Sequence, residues 1–203
     1  ARFADASNGW VSGVALCFAP NGTITTQGVL VWTTNDGGTS WTAHQLPAGV
    51  VSIYDRIQVT GMSQMRQPGV LMISSTSVEQ VLIASDDGGA TFTVTPLPVQ
   101  NTQNVQTAAV TFSDSSHGVL LTTDGQVWRT SDAGATWQGG PLPRFVSSTG
   151  RITSYGYGAI DSPDGTKIWV TGDVFYGFNL AGFIEYSADG GATWTVQLLG
   201  SGT

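Results

Sequence analysis

Apolar residues in this chain come in short runs, each closed by a cluster of Asp, Gly, Ser and Thr. Val31-Trp32, Leu82-Ile83, Val127-Trp128 and Ile184-Glu185 sit in such runs. Runs of this length and β-branched content between turn residues predict strands, and almost no stretch carries a helical period. Within 99–143 the pattern predicts four strands: A at 105–113, B at 118–123, C at 126–131 and D at 136–140. The turns between them are "DSSHG", "TDG" and "DAGA".

The same order recurs. "TNDGGTSW" (34–41), "SDDGGATF" (85–92), "TSDAGATW" (130–137) and "SADGGATW" (187–194) all read Ser/Thr-x-Asp-x-Gly-x-Ser/Thr-aromatic, here called the box. Its aspartates, Asp36, Asp87, Asp132 and Asp189, are 51, 45 and 57 residues apart. A second turn precedes it: "FADASNGW" (3–10) and "FSDSSHGV" (112–119) share aromatic-x-Asp-x-x-x-Gly-apolar, with a looser version in "AIDSPDGTKIW" (159–169). A period near 50 with four strands per repeat predicts an all-β fold, a β-propeller of four-stranded antiparallel blades. The chain, 1–203, then reads as one propeller domain or part of one, with blades at 1–47, 48–98, 99–143 and 144–203.

The box chemistry is that of a turn. Gly38, Gly89, Gly134 and Gly191 permit a positive φ. Each Asp carboxylate can accept N–H groups of its own turn, and the preceding Ser or Thr can bond across it. Trp41, Phe92, Trp137 and Trp194 open strand D and can bury a large ring against the neighbouring sheet. On this reading the four aspartates are structural. A calcium loop would need more oxygen ligands in sequence, and no metal or cofactor is expected.

The four boxes resemble the Asp-box, or bacterial neuraminidase repeat, found in sialidases, xyloglucanases, sortilin-type receptors and photosystem II assembly factors. Paired with "F-x-D-x-x-x-G-W", they look most like the bacterial propellers of the assembly-factor type. The resemblance covers essentially the whole chain and speaks for fold. For function it says little, because families with this repeat differ widely in activity. Propellers of these families usually have six to eight blades, which implies further blades of the same chain or pairing with a second copy; a self-contained four-bladed ring is the alternative.

Composition narrows the partners. Only 10% of residues are charged, Gly is abundant at 27, and the net charge is −7. A nucleic-acid partner would require a basic face, which seven Lys and Arg spread along the chain do not make. Polarity carried by hydroxyls suits a secreted, cell-surface or periplasmic protein. No run reaches the 18 apolar residues of a membrane span. Cys17 is the only cysteine, so it has no disulfide partner within the chain. The chain begins "ARFADASNGW", without Met, as a processed product or a piece of a longer chain would.

In an A-to-D blade the box and the Asp-x-x-x-Gly turn lie on one face, so a ligand is expected on the opposite one. Candidate loops there are 13–28, with the sequon Asn21-Gly22-Thr23, and 173–181, "DVFYGFNLA". Phe175, Tyr176 and Phe178, with Tyr155, Tyr157 and Arg151 nearby, form a candidate surface for stacking on sugar rings or anchoring a protein. A glycosidase would need two facing carboxylates. Outside the turns only Asp55, Glu79, Asp173 and Glu185 remain, and Asp173 and Glu185 are the weak catalytic candidates. The sialidase Arg-Ile-Pro signature is absent. Arg2, Arg56 and Arg151 show no diagnostic spacing, and His44 and His117 are isolated. Glu185 is the anomaly, because its register position holds Trp32, Ile83 and Trp128 elsewhere. A carboxylate there must have a partner or an exposed face.

The expected function is therefore a non-catalytic binding or scaffold module for a protein or glycan. The alternatives are a fragment of a secreted glycoside hydrolase, sialidase- or xyloglucanase-like, and an assembly-factor scaffold, which would ordinarily carry a basic patch.

Overall fold

The computed structural model describes residues 2–3, 5–21, 24–46, 56–61, 70–75, 79–85, 87, 90–100, 105, 107–143, 152–176 and 179–199. These form sixteen strands in four antiparallel sheets of four, with no helix among them. The first sheet is β1 (Arg2–Phe3), β2 (Gly9–Phe18), β3 (Ile24–Thr34) and β4 (Thr42–Gln45). The second is β5 (Arg56–Gly61), β6 (Val70–Ser75), β7 (Glu79–Ser85) and β8 (Thr93–Gln100). The third is β9 (Thr107–Phe112), β10 (Gly118–Thr122), β11 (Gln126–Thr130) and β12 (Gln138–Pro141). The fourth is β13 (Ile152–Asp161), β14 (Ile168–Tyr176), β15 (Asn179–Ser187) and β16 (Thr195–Leu198). In every sheet the strands lie in chain order, as expected when each turn is too short for anything but an antiparallel neighbour.

The bounds of the four strands read in 99–143 all fall within two residues of those of β9 to β12. The segments 13–28 and 173–181 depart from their reading as loops. Both are hairpin arms: Ser12 to Cys17 pair with Val31 to Thr26, and Asp173 to Tyr176 pair with Gly182 to Asn179. Extra residues here lengthen a ladder, because each added pair satisfies backbone groups that a loop would leave to water. Cys17 lies in β2, and Asn21 is in the exposed turn that follows.

The chain divides into two compact units, 1–101 and 102–203, each holding two sheets. In the second unit β13 packs against β9 and β10. One apolar cluster fills the seam there: Val119, Leu121 and Val127 from the third sheet meet Ile168, Val170 and Phe183 from the fourth. Burying such side chains contributes about 1.5–3 kcal/mol each. In the first unit Trp10 and Val31 are buried, as are Leu82, Ile83 and Leu97.

Candidate functional site

The turns come first, because they hold most of the carboxylates. In the last box Asp189 Oδ1 accepts from the Ser187 hydroxyl (2.8 Å) and the Thr193 N–H (2.8 Å), and Oδ2 accepts from the Thr193 hydroxyl (2.6 Å). Ser187 Oγ accepts in turn from the Gly191 N–H at 2.7 Å. Asp36 with Thr34 and Ser40, Asp87 with Ser85 and Thr91, and Asp132 with Thr130 and Thr136 repeat the arrangement. The hydroxyl donors, followed by the N–H donors, hold all four carboxyls at about 2, below the usual 3.8. A carboxylate so engaged is a poor base and a poor metal ligand.

Gly38, Gly134 and Gly191 have φ of 90°, 89° and 85°, and the residue before each is also left-handed: Gly37, Ala133 and Gly190. Gly89 lies outside the described residues. The N–H of that preceding residue donates to the upstream turn of the same sheet, at Ser7, Ser116 and Thr166 carbonyls. The two turn motifs are thus one unit. Its second carboxylate is Asp5, Asp114 or Asp164, each accepting two N–H groups two and three residues on. The looser sequence version resolves to Asp164, four residues before β14, as Asp114 stands four before β10.

The box aromatics also take a polar role in the turn. The indole N–H of Trp41, Trp137 and Trp194 caps the carbonyl of the box glycine at 3.0–3.1 Å. Trp41 and Trp137 then meet Phe3 and Phe112 of their own sheets edge-on, each at 6.2 Å. Their rings thus help to close the end of their own sheet, and Trp194 packs against the seam cluster. Phe92 is half-buried.

Among the proposed ligand residues, Tyr155 and Tyr157 stack at 6.1 Å and pack against the seam cluster, with Tyr157 edge-on to Phe183 at 5.6 Å. An added Cβ on Gly125 would come within 2.5 Å of the Tyr157 ring, so that glycine makes room for it. Phe175 instead stands 46% exposed, paired in register with Leu180, itself 49% exposed, at the end of the β14–β15 hairpin. Tyr176 is described by its backbone alone; Phe178, Arg151 and Asp55 lie outside the described residues. Asp173 is exposed on β14 between Gly156 and Gly182. His44 Nε2 lies 2.8 Å from Thr33 Oγ1, and His117 pairs with Asp114. No group of three metal-binding side chains occurs among the described residues.

Glu185 meets neither condition set for it. It is 0% exposed, and among the described residues neither carboxylate oxygen has a hydrogen-bond partner. It shares its face with Val170 and Val196, directly opposite on either side, and with Phe183 in the seam. Burial pushes its carboxyl up from 4.5 to about 7, because the charged form loses water without gaining donors. Cross-strand size explains how the position changed occupant. Trp32 and Trp128 lie opposite Ala43 and Gly139, whereas Ile83 and Glu185 lie opposite Val94 and Val196. A Cβ on Gly139 would come within 2.5 Å of the Trp128 indole. The last sheet carries the valine that excludes an indole.

One residue escaped the sequence reading. Arg129 faces the seam beside Val119 and donates from its guanidinium to the Gly190 carbonyl in the box of the next sheet. The repeat register holds the signal: Thr33, Ala84 and Tyr186 occupy the equivalent positions, and Arg129 is the one charge there.

No protein-family model matches the sequence, and no curated protein is significantly similar to it. Solved structures do resemble it. A GH74 enzyme from Niastella koreensis has a TM-score of 0.53 at 15% identity, over 92% of this chain and 38% of that one. YCF48 bound to D1 peptide has a TM-score of 0.48 at 16% identity, over 96% of this chain and 80% of that one. The NanB sialidase from Streptococcus pneumoniae has a TM-score of 0.43 at 19% identity, over 80% and 27%. These neighbours are β-propellers, and at such identities the likeness is one of fold. The chain spans 38% of the GH74 enzyme's length.

Proposed function

We propose that the four sheets are Asp-box blades of a β-propeller and that the chain is a non-catalytic binding or scaffold module, secreted or displayed at the cell surface, for a protein or glycan partner. The outer face of the fourth sheet carries this reading. By register Trp169, Thr171 and Ile184 stand where the third sheet has Val119, Leu121 and Val127. In the third sheet those positions are buried beneath the fourth. In the fourth they are half-buried or exposed, Trp169 and Tyr186 lie with ring centroids 5.0 Å apart, and the face runs on to Phe175 and Leu180. A sheet face that carries Trp169, Ile184 and Tyr186 at packing positions and is still open favours a partner, and Thr171 and Asp173 add polar groups to it. Its far end lies away from the box turns, where a ligand was expected.

The test has two arms. A glycan array and hydrolysis assays on sialosides and β-glucans should give binding or silence, with no turnover, and any retained ligand should be lost in a Phe175→Ser/Leu180→Ser variant. Turnover abolished by Asp173→Asn would instead establish the second reading, a segment of a glycoside hydrolase. That reading draws on the exposed Asp173 carboxylate, but a glycosidase needs a second carboxylate facing it.

A further inference from the structure

Between the turns of the third and fourth sheets lies a cleft of about 250 Å³ on the box side of the second unit. Arg129 lines it, with Ser113, His117, Ser131, Gln138 and Ser162 around it. The carboxylates closest in sequence, Asp114, Asp132, Asp164 and Asp189, are each held by their own turns and none lines the cleft. Among the described residues the half-buried guanidinium meets a backbone carbonyl, that of Gly190, and no carboxylate. That is unusual in a chain with fourteen acids to seven bases. A partly desolvated cation without a counter-charge favours an anion from outside.

The geometry points to a binding site for a small carboxylate, with Arg129 as its anchor. The guanidinium has five N–H donors in a planar fork suited to a carboxylate, and one is engaged by Gly190. Ser131 and Gln138 add donors at the rim. The hydroxyls of Ser113 and Ser162 donate to the His117 and Lys167 carbonyls, which leaves their lone pairs for a ligand hydroxyl or N–H. The volume is below the roughly 300–1,000 Å³ of drug-sized pockets, so the ligand is no larger than one sugar ring or a dipeptide end. The site is on the opposite side from the face proposed above and does not depend on it.

The test is a titration of the whole chain followed by NMR at the Arg129 Nε–H and the amides of Gly165 and Gly190. The probes are glucuronate and acetyl-Ala-Ala, each against its neutral amide. Saturable shifts with a carboxylate, at least about tenfold weaker for its amide, are expected, since hydrogen bonds to a charged partner are stronger than those to a neutral one. Response to glucuronate alone assigns an acidic sugar, to acetyl-Ala-Ala alone a peptide terminus, and to both a general carboxylate site. Arg129→Gln should remove binding; Gln138→Ala, which leaves the Gly190 tie intact, should weaken it several-fold. Equal response to acid and amide, no response to either acid, or undiminished binding by Arg129→Gln would overturn the proposal.

Discussion

Asp189 and Glu185 stand four residues apart and face opposite physical problems. Asp189 is exposed and saturated: one hydroxyl and one N–H reach Oδ1 and a second hydroxyl reaches Oδ2, which hold its carboxyl at about 2. Glu185 is enclosed by the seam with no donor among the described residues, and its carboxyl rises to about 7. Exposure alone would leave a carboxylate near its ordinary value. The donors of the turn move one group down, and their absence in the seam moves the other up. The comparison also separates a repeated solution from a single exception, since four boxes share the first arrangement and one sheet has the second.

The two groups give opposite pH dependences. Glu185 binds its proton more tightly folded than unfolded, so its contribution is full below pH 4.5 and declines as pH rises through about 7. The expected loss across that window is on the order of 3 kcal/mol. Urea titrations at pH 4.5 and 8 measure it, and Glu185→Gln should flatten the slope by removing the ionisation. A profile as steep in Glu185→Gln as in the parent would show that the seam does not hold the group neutral. Glu185→Leu should be at least as stable as the parent at pH 8, because an apolar chain suits the seam without a proton.

Next in size is Ser187→Ala. Ser187 is buried, donates to Asp189 and accepts from Gly191, so its loss should cost about 1–2 kcal/mol. The Asp189 carboxyl should move back toward 3.8, which carbon-detected NMR would read. Asp189→Ala removes all three acceptor contacts; amide exchange at Thr193 should speed roughly tenfold, while the seam amides near Phe183 stay protected. Exchange accelerated equally at both places would mean that turn and seam open together. The box aspartates bind protons less tightly folded than unfolded, so their contribution is full above 3.8 and lost as pH falls through about 2.

The smallest effect is expected in the third box. Ala133 has a φ of 64°, where the first and last boxes place Gly37 and Gly190. Ala133→Gly should stabilise by about 0.5–1 kcal/mol as strain is relieved, net of the added chain entropy. A measured loss of stability in thermal melts would show that the Ala133 methyl makes contacts worth more than its strain.

The box could be understood from sequence because every partner of its aspartate lies within four residues. The same locality gave the strand order and the turn side. Legibility stopped where partners are far along the chain. In sequence Tyr155 and Tyr157 fit either a ligand surface or packing against a neighbouring sheet, and the seam shows them packed beside Phe183. Length alone marks 13–28 and 173–181 as loops, whereas pairing decides whether extra residues extend a ladder. Arg129 went unnoticed because its contact is 61 residues away, at Gly190.

The sequence by itself determined the all-β class, the four boxes and the locked state of their carboxylates, since these rest on interactions closed within one turn or one hairpin. It also placed Glu185 at an apolar register position. Only the tertiary structure decided that the position is sealed, that the carboxylate in it has no donor, and that a guanidinium stands in the cleft between the same two sheets. Those facts belong to the space between the third and fourth sheets. No single repeat contains that space, because it exists only once two faces have packed.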